Sequence, residues 1–221
     1  MKILIRRILK HQYLPYLFIT LGIVLGITSA IFYWRQKITE PQPPAGALES
    51  KAAPSSAKPS AVQVANYTVA PGLPKYIDIP SIGVNTAKVV RLGVMSNGQI
   101  ANPNNIYDTG WYINSAKPGQ PGAMFIFGHI SSWTANGVFY NLKSLKPGAD
   151  VYIIRGDNKR FVYQVVKSVV YPYNKVDMNT VLSPVVPNIP GLNLMSCTGQ
   201  IIKGTSEFNE RLVVYTKLVN Q

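Results

Sequence analysis

The chain has 221 residues with 22 Lys+Arg against 9 Asp+Glu, and it contains one cysteine and two histidines. One cysteine excludes a disulfide scaffold, and no basic run interleaved with aromatics supports nucleic-acid binding. From Lys75 onward there are 14 Lys+Arg against 7 Asp+Glu, an excess that fits either an anionic membrane or wall nearby or ordinary solubility.

The first segment, residues 1–12, carries Lys2, Arg6, Arg7 and Lys10 and no acid. Residues 13–34 then run without a charge, and 22 residues at about 1.5 Å each span roughly 33 Å, enough for a hydrocarbon core. Tyr13, Tyr16, Tyr33 and Trp34 stand near its ends, where aromatic rings favour the headgroup level. The basic excess on the N-terminal side predicts a single-pass membrane anchor with a cytoplasmic N-terminus and everything after Trp34 outside the membrane. A cleaved secretory signal is the alternative; the apolar run is long for one, and no Ala-x-Ala site follows closely.

Residues 35–70 are rich in Pro, Ala and Ser and poor in large apolar side chains, which predicts an extended linker between anchor and domain. Residues 71–221 are the size of one domain. Their pattern is short β-runs broken by turns: Tyr76–Ile79, Lys88–Val94, Gly110–Ile113, Ala123–His129, Asp150–Arg155, Arg160–Tyr171, Leu192–Cys197 and Arg211–Val219. Gly156-Asp157-Asn158 is a hairpin signal between two of them. Only short helices fit, within Thr134–Leu145 or Met178–Leu182. Eight strands at this spacing predict an all-β fold, a closed or nearly closed barrel. Pro172 to Gly191, with prolines at 172, 184, 187 and 190, is the least strand-like stretch and predicts a mobile loop over the strand that follows.

That next strand ends in Cys197, and the strand after it opens with Arg211. Paired antiparallel, the two would present thiol and guanidinium at one end of a sheet. Ala123 to His129 is a near-continuous apolar run ending in Gly-His, and His129 is the domain's only histidine. Taken singly, the cysteine is more often a small core residue and the histidine more often a structural one. Together the three residue types have the chemistry of acyl transfer through a thioester. A thiolate attacks, an imidazole supplies charge stabilisation and a proton for a leaving amine, and an arginine fork meets a developing oxyanion.

Gly128-His129-Ile130, Gly137 to Asp150, Leu194-Met195-Ser196-Cys197 and Arg211-Leu212-Val213-Val214 resemble the sortase pattern in order and spacing. Tyr76 to Val84 resembles that family's opening strand. The resemblance covers nearly all of 71–219 and implies the eight-stranded sortase barrel. It also implies a cysteine transpeptidase acting on a Leu-Pro-x-Thr-Gly-like sorting signal. By this resemblance Cys197 is the nucleophile, His129 the acid/base and Arg211 the oxyanion and substrate holder. Ser196 and the loop residues Leu182, Val185, Val186 and Ile189 would contact substrate. The implied partners are surface proteins with C-terminal sorting signals and an amine acceptor from a peptidoglycan precursor or a pilin. No cofactor is implied, and the acids show no metal-ligand spacing. The family commonly reads Thr-Leu-x-Thr-Cys where this chain has Asn193-Leu194-Met195-Ser196-Cys197. An N-terminal anchor, a long linker and a compact barrel resemble housekeeping or class E/F sortases more than pilus-assembling ones. Two rivals remain: an L,D-transpeptidase, whose Ser-His-Gly-Cys run finds no match at Ser196-Cys197-Thr198, and a membrane-tethered β-barrel that binds without catalysis.

Overall fold

The computed structural model describes Gly26, Thr28, residues 53–96 and residues 98–220. By its internal packing the chain divides into residues 1–45 and 46–221, and the second unit contains the barrel. The expected anchor over 13–34 lies, apart from Gly26 and Thr28, outside the described residues. No helix among those described is long and apolar enough to cross a membrane.

Eight strands form a closed barrel. They are β1 (Pro74–Ile79), β2 (Val84–Leu92), β3 (Thr109–Tyr112), β4 (Ala123–Gly128), β5 (Asp150–Arg155), β6 (Arg160–Pro172), β7 (Gly191–Ile201) and β8 (Phe208–Asn220). Around the barrel the order is β1-β2-β3-β4-β7-β8-β6-β5, closing β5 onto β1. The β2–β3 and β4–β7 pairs are parallel and the rest antiparallel. All eight expected strands are present; β7 and β8 run further than expected, which narrows the loop between them to residues 202–207. The β5–β6 turn places Asn158 at φ 64°, in the left-handed region that asparagine tolerates.

Two-residue alternation sorts the side chains into two apolar layers. Leu192 and Leu194 of β7, Leu212 and Val214 of β8, and Met124 and Ile126 of β4 fill the barrel with Phe139, Phe161 and Tyr163. The alternate residues of these strands, Phe125, Phe127, Met195, Val213 and Tyr215, form a second layer on the outside. β4 is buried along its whole length because it is covered on both faces, which explains its unbroken apolar sequence. The outer cover is the β6–β7 connection, whose short helix at Met178–Val181 brings Val181, Leu182 and Val185 onto the layer.

Helix α1 (Ala61–Ala65) belongs to a segment expected to be linker. Residues 53–70 lie against the barrel domain instead. Ser55 pairs in parallel with the Asn105 backbone, α1 has a capping box from Ser60 and Gln63, and the Tyr67 hydroxyl donates to Val89 O at 2.7 Å. Backbone pairing and hydrogen bonds from Tyr67, Tyr76, Asn105 and Thr134 hold this strap in place, and none of them leaves a trace in the strap's composition.

Candidate active site

The sheet brings the three chemical residues to one level. Cys197 of β7 lies directly across from Arg211 of β8. The parallel β4–β7 register runs through Phe127↔Met195. His129 and Cys197 each stand two residues beyond that pair, on the outer face of the same end. The reactive end is therefore the upper edge of the outer apolar layer, with Phe127 and Met195 beneath it.

His129 follows β4 into a loop, and two glycines make room for it. A Cβ on Gly128 would lie 2.5 Å from the buried Phe139 ring, and one on Gly137 would run into the His129 carbonyl. That carbonyl accepts from Phe139 N at 2.9 Å, so the hairpin after the histidine folds back beneath it. The imidazole packs edge-on to Phe127 with centroids 5.9 Å apart, and its Nε2 lies 2.8 Å from Pro103 O. A carbonyl can only accept, so Nε2 carries a proton in both charge states and Nδ1 is the nitrogen that gains and loses one. Burial pushes the imidazole below its ordinary value, and the Pro103 hydrogen bond offsets part of this.

Cys197 is a free, half-buried thiol. Burial raises its pKa; the Arg211 charge works the other way and the Glu207 carboxylate raises it further. At neutral pH the directions on both groups favour an uncharged thiol beside an uncharged imidazole.

Arg211 is fixed by the β7–β8 turn. Its Nη1 donates to Phe208 O at 2.8 Å and Glu210 O at 3.0 Å, and its Nη2 donates to Glu207 Oε2 at 2.9 Å. Tyr173 lies beneath the guanidinium at 5.9 Å. Both Nη1 hydrogens are thus committed, while Nε–H and the second Nη2 hydrogen have no hydrogen-bond partner among the described residues. The fork is held stiffly and still has donors to offer.

The remaining candidates divide. Leu182 and Val185 pack on the same outer layer as Met195 and Cys197. Val186 and Ile189 are half-buried further along the loop, joined by a turn from Ile189 N to Val186 O at 3.2 Å. Ser196 is not brought to the thiol's face: it is 1% exposed, pairs with Leu212 of the barrel interior, and its Oγ finds no partner among the described residues. Period two sends neighbouring residues to opposite faces, so the Ser196 side chain points into the barrel, away from the face on which its contact with substrate was expected.

Sequence reasoning missed Asn193. It is fully buried on the outer face, and its Nδ2 donates to Val181 O at 2.6 Å and Ser183 O at 3.1 Å. These bonds pin the β6–β7 loop to the strand it covers. The visible signal was an asparagine between two leucines, Leu192 and Leu194, where the sequence pattern that this chain resembles commonly has threonine. A cleft of about 350 Å³ opens between Lys167 and Tyr215 on the strands and Pro184 on the loop. Tyr215 lies four residues along β8 from Arg211, roughly 13 Å at strand spacing, so the cleft is away from the reacting end.

The family model for the sortase domain matches residues 77–219. Among solved structures, sortase A from Corynebacterium diphtheriae is 22% identical over 69% of this chain and 63% of its own, with a TM-score of 0.52. A SrtA sortase from Actinomyces oris is 18% identical over 77% of this chain and 88% of its own, TM-score 0.52. A sortase transpeptidase from Clostridium perfringens is 25% identical over 65% of this chain and 77% of its own, TM-score 0.48. Comparison with curated protein sequences gives no match. The sortase-domain match spans well over half of the sequence, and on that ground the chain belongs to the sortase family and is an enzyme of the cysteine transpeptidase type.

Proposed function

We propose that this chain is a membrane-tethered transpeptidase that cuts a Leu-Pro-x-Thr-Gly-like sorting signal between Thr and Gly and passes the acyl group to an amine. The observation that carries this reading is the level alignment of His129, just past the end of β4, with Cys197 and Arg211, which pair across β7 and β8 on the same face. The thiol proton passes to His129, giving a minority thiolate–imidazolium pair. Sγ attacks the threonine carbonyl, and the free donors of Arg211 receive the oxyanion. As the C–N bond breaks, the imidazolium returns its proton to the departing glycine amine, leaving a thioester and a neutral imidazole. An incoming amine attacks the thioester and gives its proton to His129 as the C–S bond breaks; the imidazolium then returns that proton to the Cys197 thiolate, restoring the uncharged thiol and imidazole.

The apolar layer carrying Leu182 and Val185 supports binding of the signal's Leu-Pro portion, and the acceptor would come from a peptidoglycan precursor or a pilin. The charge-free run over 13–34 supports a membrane anchor with the barrel on the extracytoplasmic side. The test uses residues 53–221, so that the strap is retained, with a fluorescent Leu-Pro-x-Thr-Gly peptide and a glycine amine. Transpeptidation that vanishes in Cys197→Ala and in His129→Ala is expected. A folded wild-type protein that turns over no member of a peptide panel varied at the first two positions would leave only a binding barrel.

A further inference from the structure

The strap and the catalytic histidine are joined by a short chain of hydrogen bonds that the reaction does not require. Ser55 N donates to Asn104 O at 2.7 Å, and Ile106 N donates to Ser55 O at 3.0 Å. The Asn105 side chain lies between: its Nδ2 donates to Ala57 O at 2.8 Å, and its Oδ1 accepts from Tyr107 N at 2.9 Å. Two residues before Asn105, the buried Pro103 carbonyl is the acceptor for His129 Nε2. The loop after the histidine is gripped by the same strap, since Thr134 Oγ1 donates to Ser56 Oγ at 3.1 Å. Val138 N donates to Ile106 O at 2.8 Å and ties the two loops to each other.

We infer that strap residues 55–57, acting through Asn105, position the imidazole of His129 by holding the Pro103 carbonyl at its Nε2. This inference assumes the role given to His129 in the proposed reaction. In the connection from β2 to β3, the described residues 93–96 and 98–108 carry no helix or strand apart from isolated bridges at Val94, Ile100 and Asn105. A loop of that length acquires a fixed carbonyl only from something rigid beside it, and the strap supplies a backbone ladder on its outer side. The consequence is specific. With Pro103 O in place, the neutral imidazole is locked as the Nε2–H tautomer and Nδ1 is presented for proton transfer. With the carbonyl adrift, either nitrogen can carry the proton and the ring can turn. Asn105 is on this view a positioning residue, with no contact to substrate.

Two variants of the full-length chain test this: an internal deletion of residues 53–57, which leaves the Ser60 cap of α1 intact, and Asn105→Ala. The first readout is the ¹⁵N spectrum of the neutral imidazole, assigned by comparison with His129→Gln; the only other histidine is His11. Wild type is expected to show the Nε2–H tautomer, and both variants a mixture. The second readout is turnover, where misplacement of a proton-transfer group by a fraction of an ångström to 1 Å predicts kcat lower by roughly tenfold to a hundredfold. KM should stay within about twofold, because no substrate contact is removed. An unchanged tautomer, or an unchanged kcat, in the folded variants overturns the inference. Should wild type lack turnover altogether, the transpeptidase reading fails, while the tautomer spectrum still decides whether the strap governs His129.

Discussion

Gly128→Ala tests whether the barrel interior sets the position of the histidine. Gly128 faces inward, and an added Cβ would lie 2.5 Å from Phe139 Cδ2 and 2.9 Å from Cγ and Cε2. Carbon atoms pack at about 3.5–4.0 Å, so the ring would have to withdraw by roughly 1 Å. It has little freedom to do so: Phe139 is fully buried in the core, and its backbone N is bonded to His129 O at 2.9 Å. Overpacking of this kind costs about 1–3 kcal/mol, which in a domain of this size lowers Tm by roughly 2–12 °C. Phe139→Leu removes the clashing ring at a cost of about 1–2 kcal/mol by itself. Thermal melts of the two single variants and the double variant form a cycle. The double should be more stable than the sum of the singles by at least about 1 kcal/mol, because the clash exists only where the added methyl at position 128 meets the Phe139 ring, which the double variant lacks. An additive cycle, or a Gly128→Ala protein that melts with wild type, would refute the reasoning.

Three further outcomes are expected. Arg211→Lys keeps the charge and loses the fork, so kcat should fall by about 10²–10³ with a smaller change in KM; equal activity would show that no oxyanion donor was lost. Since Cys197 is the only thiol, bulk alkylation against pH reports it alone. Its midpoint should lie above the ordinary thiol value and fall in Glu207→Gln, where a carboxylate that raises it is removed; a midpoint below neutrality would contradict the burial argument. Ser196→Ala removes a buried hydroxyl with no partner among the described residues and should be neutral or stabilising by up to about 1 kcal/mol, with turnover within about twofold. A tenfold loss of turnover would return Ser196 to the substrate's side.

The strands and the reactive end were legible because both rest on local signals. Alternation marked β5 and β6, the glycine-rich turn marked their hairpin, and Cys197 and Arg211 fell opposite one another once β7 and β8 paired. Which face a side chain takes was harder. Leu192 and Leu194 fill the core, so period two already sends Ser196 inward and puts Asn193 and Met195 on the face of Cys197. Polarity argued for the reverse assignment, and here the register overrides it: a serine goes in and an asparagine is buried outside, bonded to loop carbonyls. The strap was illegible for a different reason. Its hold on the domain combines backbone pairing with Asn104 and Ile106 and side chains that mostly bond to main-chain carbonyls, from Tyr67, Tyr76 and Asn105, and such bonds place little demand on the sequence of the strap itself.

These two unread features bear on the same end of the barrel from opposite sides. Asn193 ties the β6–β7 loop down over the outer layer, which makes Leu182 and Val185 part of a formed apolar wall instead of a free flap. The strap braces the loop that carries Pro103 on the other side of β4. Between them lies the edge where His129, Cys197 and Arg211 emerge, each held by main chain instead of by one another: the imidazole by a proline carbonyl, the guanidinium by two carbonyls of its own turn, the thiol by β7 itself. A pair that is mostly uncharged at rest has little mutual attraction to orient it. Fixing each member separately to the backbone meets that need, and it leaves the thiol, Nδ1 and the spare guanidinium donors uncommitted until a substrate arrives.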